Sequence, residues 1–292
     1  MTTIDLDTTL RRPGPAASPS RIAFFVAAVL GLGWLGPAID SAVGTDTNGG
    51  PGQLLWLVLP VGVAMLLRWR AGDGFGDTGL RPHYRANRRW YDLSSAFYPV
   101  TMLTAIAGGT VVGHWELYDD WAPLRFAAAA ALTLIPFTFA AIAEEFGWRG
   151  YLTPRLQAAG VGRLANHTIV GVVWGTWHLP YLADAWDYST ESLWTLAPRV
   201  IVGTTVIAIV YGEIRLRTGS VWPAVIMHAS GNAVAAALIS TDNVLIQNEP
   251  APWLFTPGVD GLAVITISAT LAAILMTRPA NRPHQDHQPS RA

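Results

Sequence analysis

Eight apolar runs, each close to a bilayer's thickness when helical, constrain this chain more than any other feature. They lie near residues 22–39, 53–69, 93–113, 124–145, 166–183, 198–214, 220–240 and 259–277. A hydrocarbon core of roughly 30 Å takes about 17–25 helical residues to cross. Pro60, Pro99, Pro136 and Pro180 interrupt four of the runs, which a membrane bundle tolerates because neighbouring helices re-satisfy freed backbone groups. The pattern predicts an all-α polytopic membrane protein with about eight transmembrane helices and a helical-bundle catalytic core. Composition agrees: 51% of the 292 residues are hydrophobic and 13% charged, against roughly 25% charged in an average soluble domain. Residues 1–20 read as a disordered cytoplasmic tail and 21–277 as the transmembrane bundle. Residues 278–292 read as a second cytoplasmic tail. The run at 22–39 lacks a convincing small-residue cleavage site and is read as an uncleaved first span.

A net charge of −1 conceals an ordered distribution. All 19 basic residues are arginine. With the N-terminus in the cytoplasm, 17 of them fall on that side and only Arg125 and Arg199 outside, as the positive-inside rule requires. The outer loops collect acids: Asp40, Asp46, Glu116, Asp119, Asp120, Asp184, Asp187, Glu191, Asp242, Glu249 and Asp260. An even number of spans is needed to keep the arginine-bearing C-terminal tail inside. Both termini are therefore expected in the cytoplasm of a multi-pass cell-membrane protein. This arrangement reads topology and membrane lipid, and gives no support for a nucleic-acid partner.

The chain has no cysteine, which excludes thiolate metal sites and a cysteine nucleophile. Ionisable groups inside apolar spans are costly, so each is a functional hypothesis. Glu144 and Glu145 end the fourth span in Ala143-Glu144-Glu145-Phe146-Gly147-Trp148-Arg149-Gly150. If the helix continues, Glu145 and Arg149 stand at i and i+4 and pair on one face, while Glu144 is turned by about 100°. One carboxylate is then structural and the other free for acid-base work. The fifth span carries Trp174 and His178 one turn apart, and the seventh His228 and Asn232. Gly147, Gly171, Gly175 and Gly231 would let these helices approach closely. Taken singly, each histidine could be interhelical glue and each glutamate could snorkel. Glu213, with Arg217 at i+4, reads as a terminal ion pair, and His83, His114, His167, His284 and His287 fall in loops, tails or at a span edge.

These segments resemble the motifs of the CPBP intramembrane peptidases, the family of type II CAAX prenyl endopeptidases and bacteriocin-processing, Abi-like proteins. The first motif stands as Glu144-Glu145-Phe146-Gly147-Trp148-Arg149 followed by Gly150-Tyr151-Leu152, the second as Trp174 and His178, and the third as His228 and Asn232. Trp174 stands where the family more often has phenylalanine, a change of pocket shape more than of chemistry. The resemblance covers roughly residues 125–240, which it makes the peptidase core. It implies an intramembrane endopeptidase in which Glu144 is general base for water, assisted by His178. His228 and Asn232 would stabilise the oxyanion, and Arg149 would hold Glu145 and the helix end.

A metal-assisted route within the family would use Glu144, His178 and His228 around zinc, since two imidazoles and a carboxylate leave an open coordination position. The metal-free glutamate route is favoured; the cofactor is left open, with none favoured and zinc the one considered. Ser230 is two residues from His228 and does not face it along a helix. No span holds an aspartate pair. A proton-coupled transporter, marked by repeat symmetry, and a catalytically silent immunity or scaffold protein are the other classes open. The expected partners are membrane lipid and a membrane-associated peptide or protein substrate. The arginine- and alanine-rich coding bias makes prenylated CAAX proteins a poor choice among these.

Overall fold

A computed structural model of the chain describes residues 18–45, 49–117, 122–184, 192–240, 245–247 and 252–279. The termini on either side, including Arg11, Arg12, Arg282 and Arg291, and the predicted outer acids Asp46, Asp119, Asp120, Asp187, Glu191, Asp242 and Glu249 lie outside the described residues.

The described part is helical apart from one short ribbon. In order come α1 (Pro19–Gly33), α2 (Leu35–Val43), α3 (Pro51–Ala71), α4 (Tyr84–Val111), α5 (Pro123–Gly147), a π turn (Trp148–Leu152) and α6 (Thr153–Ala158). Then follow α7 (Arg163–Trp177), α8 (Leu179–Asp184), α9 (Leu193–Thr218), α10 (Trp222–Ser240) and α11 (Leu262–Met276). Strands β1 (Trp115–Leu117) and β2 (Leu245–Gln247) pair antiparallel between two loops.

All eight apolar runs fall on helices. Among the described residues four segments are long and apolar enough to cross a membrane: Pro19–Val43, Pro51–Ala71, Pro123–Ala158 and Leu193–Thr218. Leu262–Met276 is apolar but shorter. Two of the remaining runs fall short for visible reasons. The run on α4 is diluted by Ser94, Ser95, Tyr98, Pro99 and Thr101. The run at 166–183 is broken at His178, two residues before Pro180, into α7 and α8; a proline there removes a backbone donor and crowds the preceding turn.

In the bundle, α10 packs on α5 and α4, α7 on α9, and α3 on α5. Two glycines show why the approach is so close. A Cβ on Gly147 would lie 2.5 Å from Pro60 Cβ, and one on Gly231 2.7 Å from the Tyr98 ring. Gly171 and Gly175 admit α9 in the same way, so all four glycines singled out in the sequence sit at helix contacts. Aromatic rings fill the centre: Trp56 stacks on Trp177 with centroids 3.8 Å apart, and its Nε1 donates to the Trp177 carbonyl.

Arginines gather at one end of the bundle. Arg68 and Arg155 share the Asp77 carboxylate, and Arg155 also meets Asp73. At the other end Arg199 faces Asp260. Asp40, an outer-loop acid by sequence, is fully buried in α2. It accepts the backbone N–H groups of Gly52 and Gln53 in the first turn of α3, together with the Tyr181 hydroxyl. A carboxylate in that position satisfies donors that a helix leaves open at its start.

Candidate active site

The chain continues helically past Glu145, through the π turn into α6. Glu145 and Arg149 therefore meet as their spacing predicted, Arg149 Nη1 donating to Glu145 Oε1 at 2.9 Å with both side chains fully buried. A π turn inserts one residue into the helical register and is a common device at functional sites. The Arg149 guanidinium lies between two rings, 4.6 Å from the Trp174 centroid and 4.4 Å from that of Tyr211. Ring faces attract a cation and cover it from solvent without taking its hydrogen bonds.

His228, on α10, joins the two carboxylates. Its Nδ1 is 2.9 Å from Glu145 Oε1 and its Nε2 3.6 Å from Glu144 Oε1. Ionised Glu145 accepts only, so the Nδ1 carries the proton. Glu144 is 4% exposed and is held from the other side by Trp174, whose Nε1 donates to Oε2 at 2.9 Å. The 100° offset between the glutamates thus gives them different partners, but both reach one imidazole. Trp174 matters here as a hydrogen-bond donor, a role that its reading as pocket shape missed. Phenylalanine at that position could not supply it.

His178, half-buried at the α7–α8 break, has its Nδ1 2.8 Å from the Trp174 carbonyl. A carbonyl accepts only, so Nδ1 bears the proton and Nε2 is the basic nitrogen of the neutral ring. Asn232 lies one turn beyond His228 on α10, half-buried, and among the described residues no hydrogen bond ties its side chain to the carboxylates. Ser230 donates to the Met227 carbonyl, not to a histidine.

Glu144, His178 and His228 do not assemble as a metal-ligand set. Among the described residues no group of three or more His, Asp or Glu side chains is placed to hold a metal ion. The hydrogen bonds at Glu144 Oε2, His228 Nδ1 and His178 Nδ1 orient these groups in either route, because a metal-ligating imidazole also donates its second ring N–H to a carboxylate or carbonyl.

The three motifs thus come together from α5 with its π turn, α7 and α10, all within one continuous stretch of sequence. Residues 126–234 match the family model of the Rce1-like type II CAAX prenyl endopeptidases. Comparison with curated proteins finds no match. The Rce1-like segment contains every residue of the site, and the match agrees with the resemblance carried by the motifs. The matched family is one of proteases, and four helices of membrane-crossing length and composition agree with a multi-pass membrane protein.

Proposed function

We propose that the protein is an intramembrane endopeptidase that hydrolyses a peptide bond of a membrane-associated substrate with water activated by Glu144. The observation that carries this reading is the pairing of two buried carboxylates with one arginine around a single imidazole, inside the Rce1-like segment. Arg149 compensates Glu145, which leaves Glu144 as the carboxylate in surplus. The indole of Trp174 fixes Glu144 Oε2, and Oε1 is the oxygen offered to a water.

In the proposed reaction Glu144 takes a proton from water while the water oxygen attacks the scissile carbonyl. His178 accepts a hydrogen bond from that water through Nε2. The Asn232 amide donates to the developing oxyanion, and His228, held through Nδ1 by Glu145, joins it as a donor when its Nε2 takes up a second proton. Donors fixed in advance at this position are worth most in a dry site. The tetrahedral intermediate then collapses, the C–N bond breaks, and Glu144 returns its proton to the leaving amine. Eight spans with both termini in the cytoplasm is the topology proposed, on the strength of the arginine distribution.

The test is cleavage of a quenched fluorescent peptide bearing a lipid anchor by the protein in proteoliposomes. Glu144→Gln keeps shape and hydrogen bonding but removes the base, so the rate should fall by about 10²–10⁴ with thermal stability in detergent unchanged. Wild-type activity in both Glu144→Gln and His178→Ala would remove the peptidase reading and favour a silent scaffold protein.

A further inference from the structure

The π turn that presents Arg149 has an unusual backbone problem. The Thr153 N–H, which an α-helix would give to the Arg149 carbonyl, goes to the Trp148 carbonyl instead. One residue later stands Pro154, which has no N–H to offer the Gly150 carbonyl a turn back. Two consecutive carbonyls are left without their usual helical partners in a buried part of the molecule, where an unpaired acceptor is costly.

Side chains from two other helices fill both positions. Arg68, at the end of α3 and 3% exposed, donates Nη2 to the Gly150 carbonyl at 2.7 Å. Arg215, near the end of α9, donates Nε to the Arg149 carbonyl at 3.3 Å. Both arginines are held in turn by the 73–79 loop: Arg68 by the Gly74 carbonyl and Asp77, and Arg215 by the Asp77 carbonyl. Gly79, at φ +77°, brings that loop so near that a Cβ on it would lie 2.7 Å from the Arg215 guanidinium carbon. One turn before Arg215, Tyr211 covers the Arg149 guanidinium. The same face of α9 therefore grips both the backbone and the side chain of Arg149.

We propose that Arg68 and Arg215 are positioning residues for the reaction: by donating to the Gly150 and Arg149 carbonyls they fix the π turn that sets Arg149, Glu145 and Glu144 against His228. The inference rests on the peptidase reading of the site. It assigns the 73–79 loop a task in catalysis although none of its residues touches the carboxylates. Displacing a reacting group by 1 Å can cost about a hundredfold in rate, so loss of either donor should appear in turnover rather than in substrate binding.

The experiment compares Arg68→Met, Arg68→Lys, Arg215→Met and Arg215→Lys on the lipid-anchored peptide in proteoliposomes. Glu144→Gln and Arg70→Met serve as controls, Arg70 being an exposed arginine on the same end of α3. Per folded molecule, each methionine variant should lose about ten- to a hundredfold in kcat with KM within about twofold. Each lysine variant, which keeps one donor, should recover part of the loss, and Arg70→Met should match wild type. Unchanged kcat, a loss confined to KM, no recovery with lysine, or an equal loss in Arg70→Met would overturn the inference. Should a methionine variant not fold, its lysine counterpart decides against wild type, a reduced kcat supporting the proposal and a wild-type kcat overturning it. Full activity in Glu144→Gln would instead sink the peptidase reading. A dead Glu144→Gln beside fully active arginine variants would sink the positioning role alone.

Discussion

Two buried glutamates in this molecule carry the same sequence mark and end in opposite circumstances. Glu145 has Arg149 at i+4 and meets His228 from another helix. Glu213 has Arg217 at i+4 and meets His167 on α7, Nε2 to Oε1 at 3.0 Å. Around Glu213, however, Arg163 joins Arg217 on the one carboxylate, and both arginines also donate to the Leu275 carbonyl at the end of α11. Cations there outnumber the acid, and their spare donors close a helix end where carbonyls lack intrahelical partners. At the candidate site two carboxylates stand beside one arginine, which bonds Glu145 alone and lies between two rings. The second carboxylate is held by a neutral indole and an imidazole. An i,i+4 pair alone is therefore no sign of chemistry; an unbalanced second carboxylate beside it is.

Substitutions that touch one partner at a time sharpen this contrast. His178→Ala should approach the loss seen in Glu144→Gln, because the water would lose its second acceptor. Asn232→Ala removes one oxyanion donor and should cost about 10²–10³ in kcat, leaving KM largely unchanged; an increase confined to KM would place Asn232 in substrate binding. Glu145→Gln should act on two quantities at once. It strands Arg149 in a fully buried position and frees His228, so thermal stability and turnover should both fall. Breaking one partner of a buried pair costs on the order of 3 kcal/mol, measurable as a lowered melting temperature in detergent. Unchanged stability with lost activity would instead make Glu145 a direct participant.

Much of this arrangement was legible in the chain because its governing spacings are local. The Glu145–Arg149 pair follows from helix geometry, and the apolar runs fixed where helices would fall. The convergence of three motifs was legible only through their resemblance to a family, since nothing local brings α5, α7 and α10 together. What sequence reading missed depends on partners far along the chain. His167 looked peripheral at a span edge, yet it is buried against Glu213, 46 residues away. Asp40 looked like a loop acid because the helix start that it caps lies across a turn. The π turn escaped notice because it needs Pro154 together with two arginines from other helices, and no periodicity announces that combination. Trp174 was visible, but its indole N–H has meaning only once Glu144 stands opposite.

The most direct measurement sets the two glutamates side by side. Glu144→Gln and Glu213→Gln would be purified in detergent, their melting temperatures recorded, and cleavage of the lipid-anchored peptide measured per folded molecule. Glu144→Gln should melt like wild type and be inactive. Glu213→Gln should melt markedly lower, by an amount on the order of 3 kcal/mol in stability, and retain near-wild-type turnover in the fraction that remains folded. Activity in Glu144→Gln, or the same combination of lost stability and lost turnover in both variants, would contradict the assignment of catalysis to the unbalanced carboxylate.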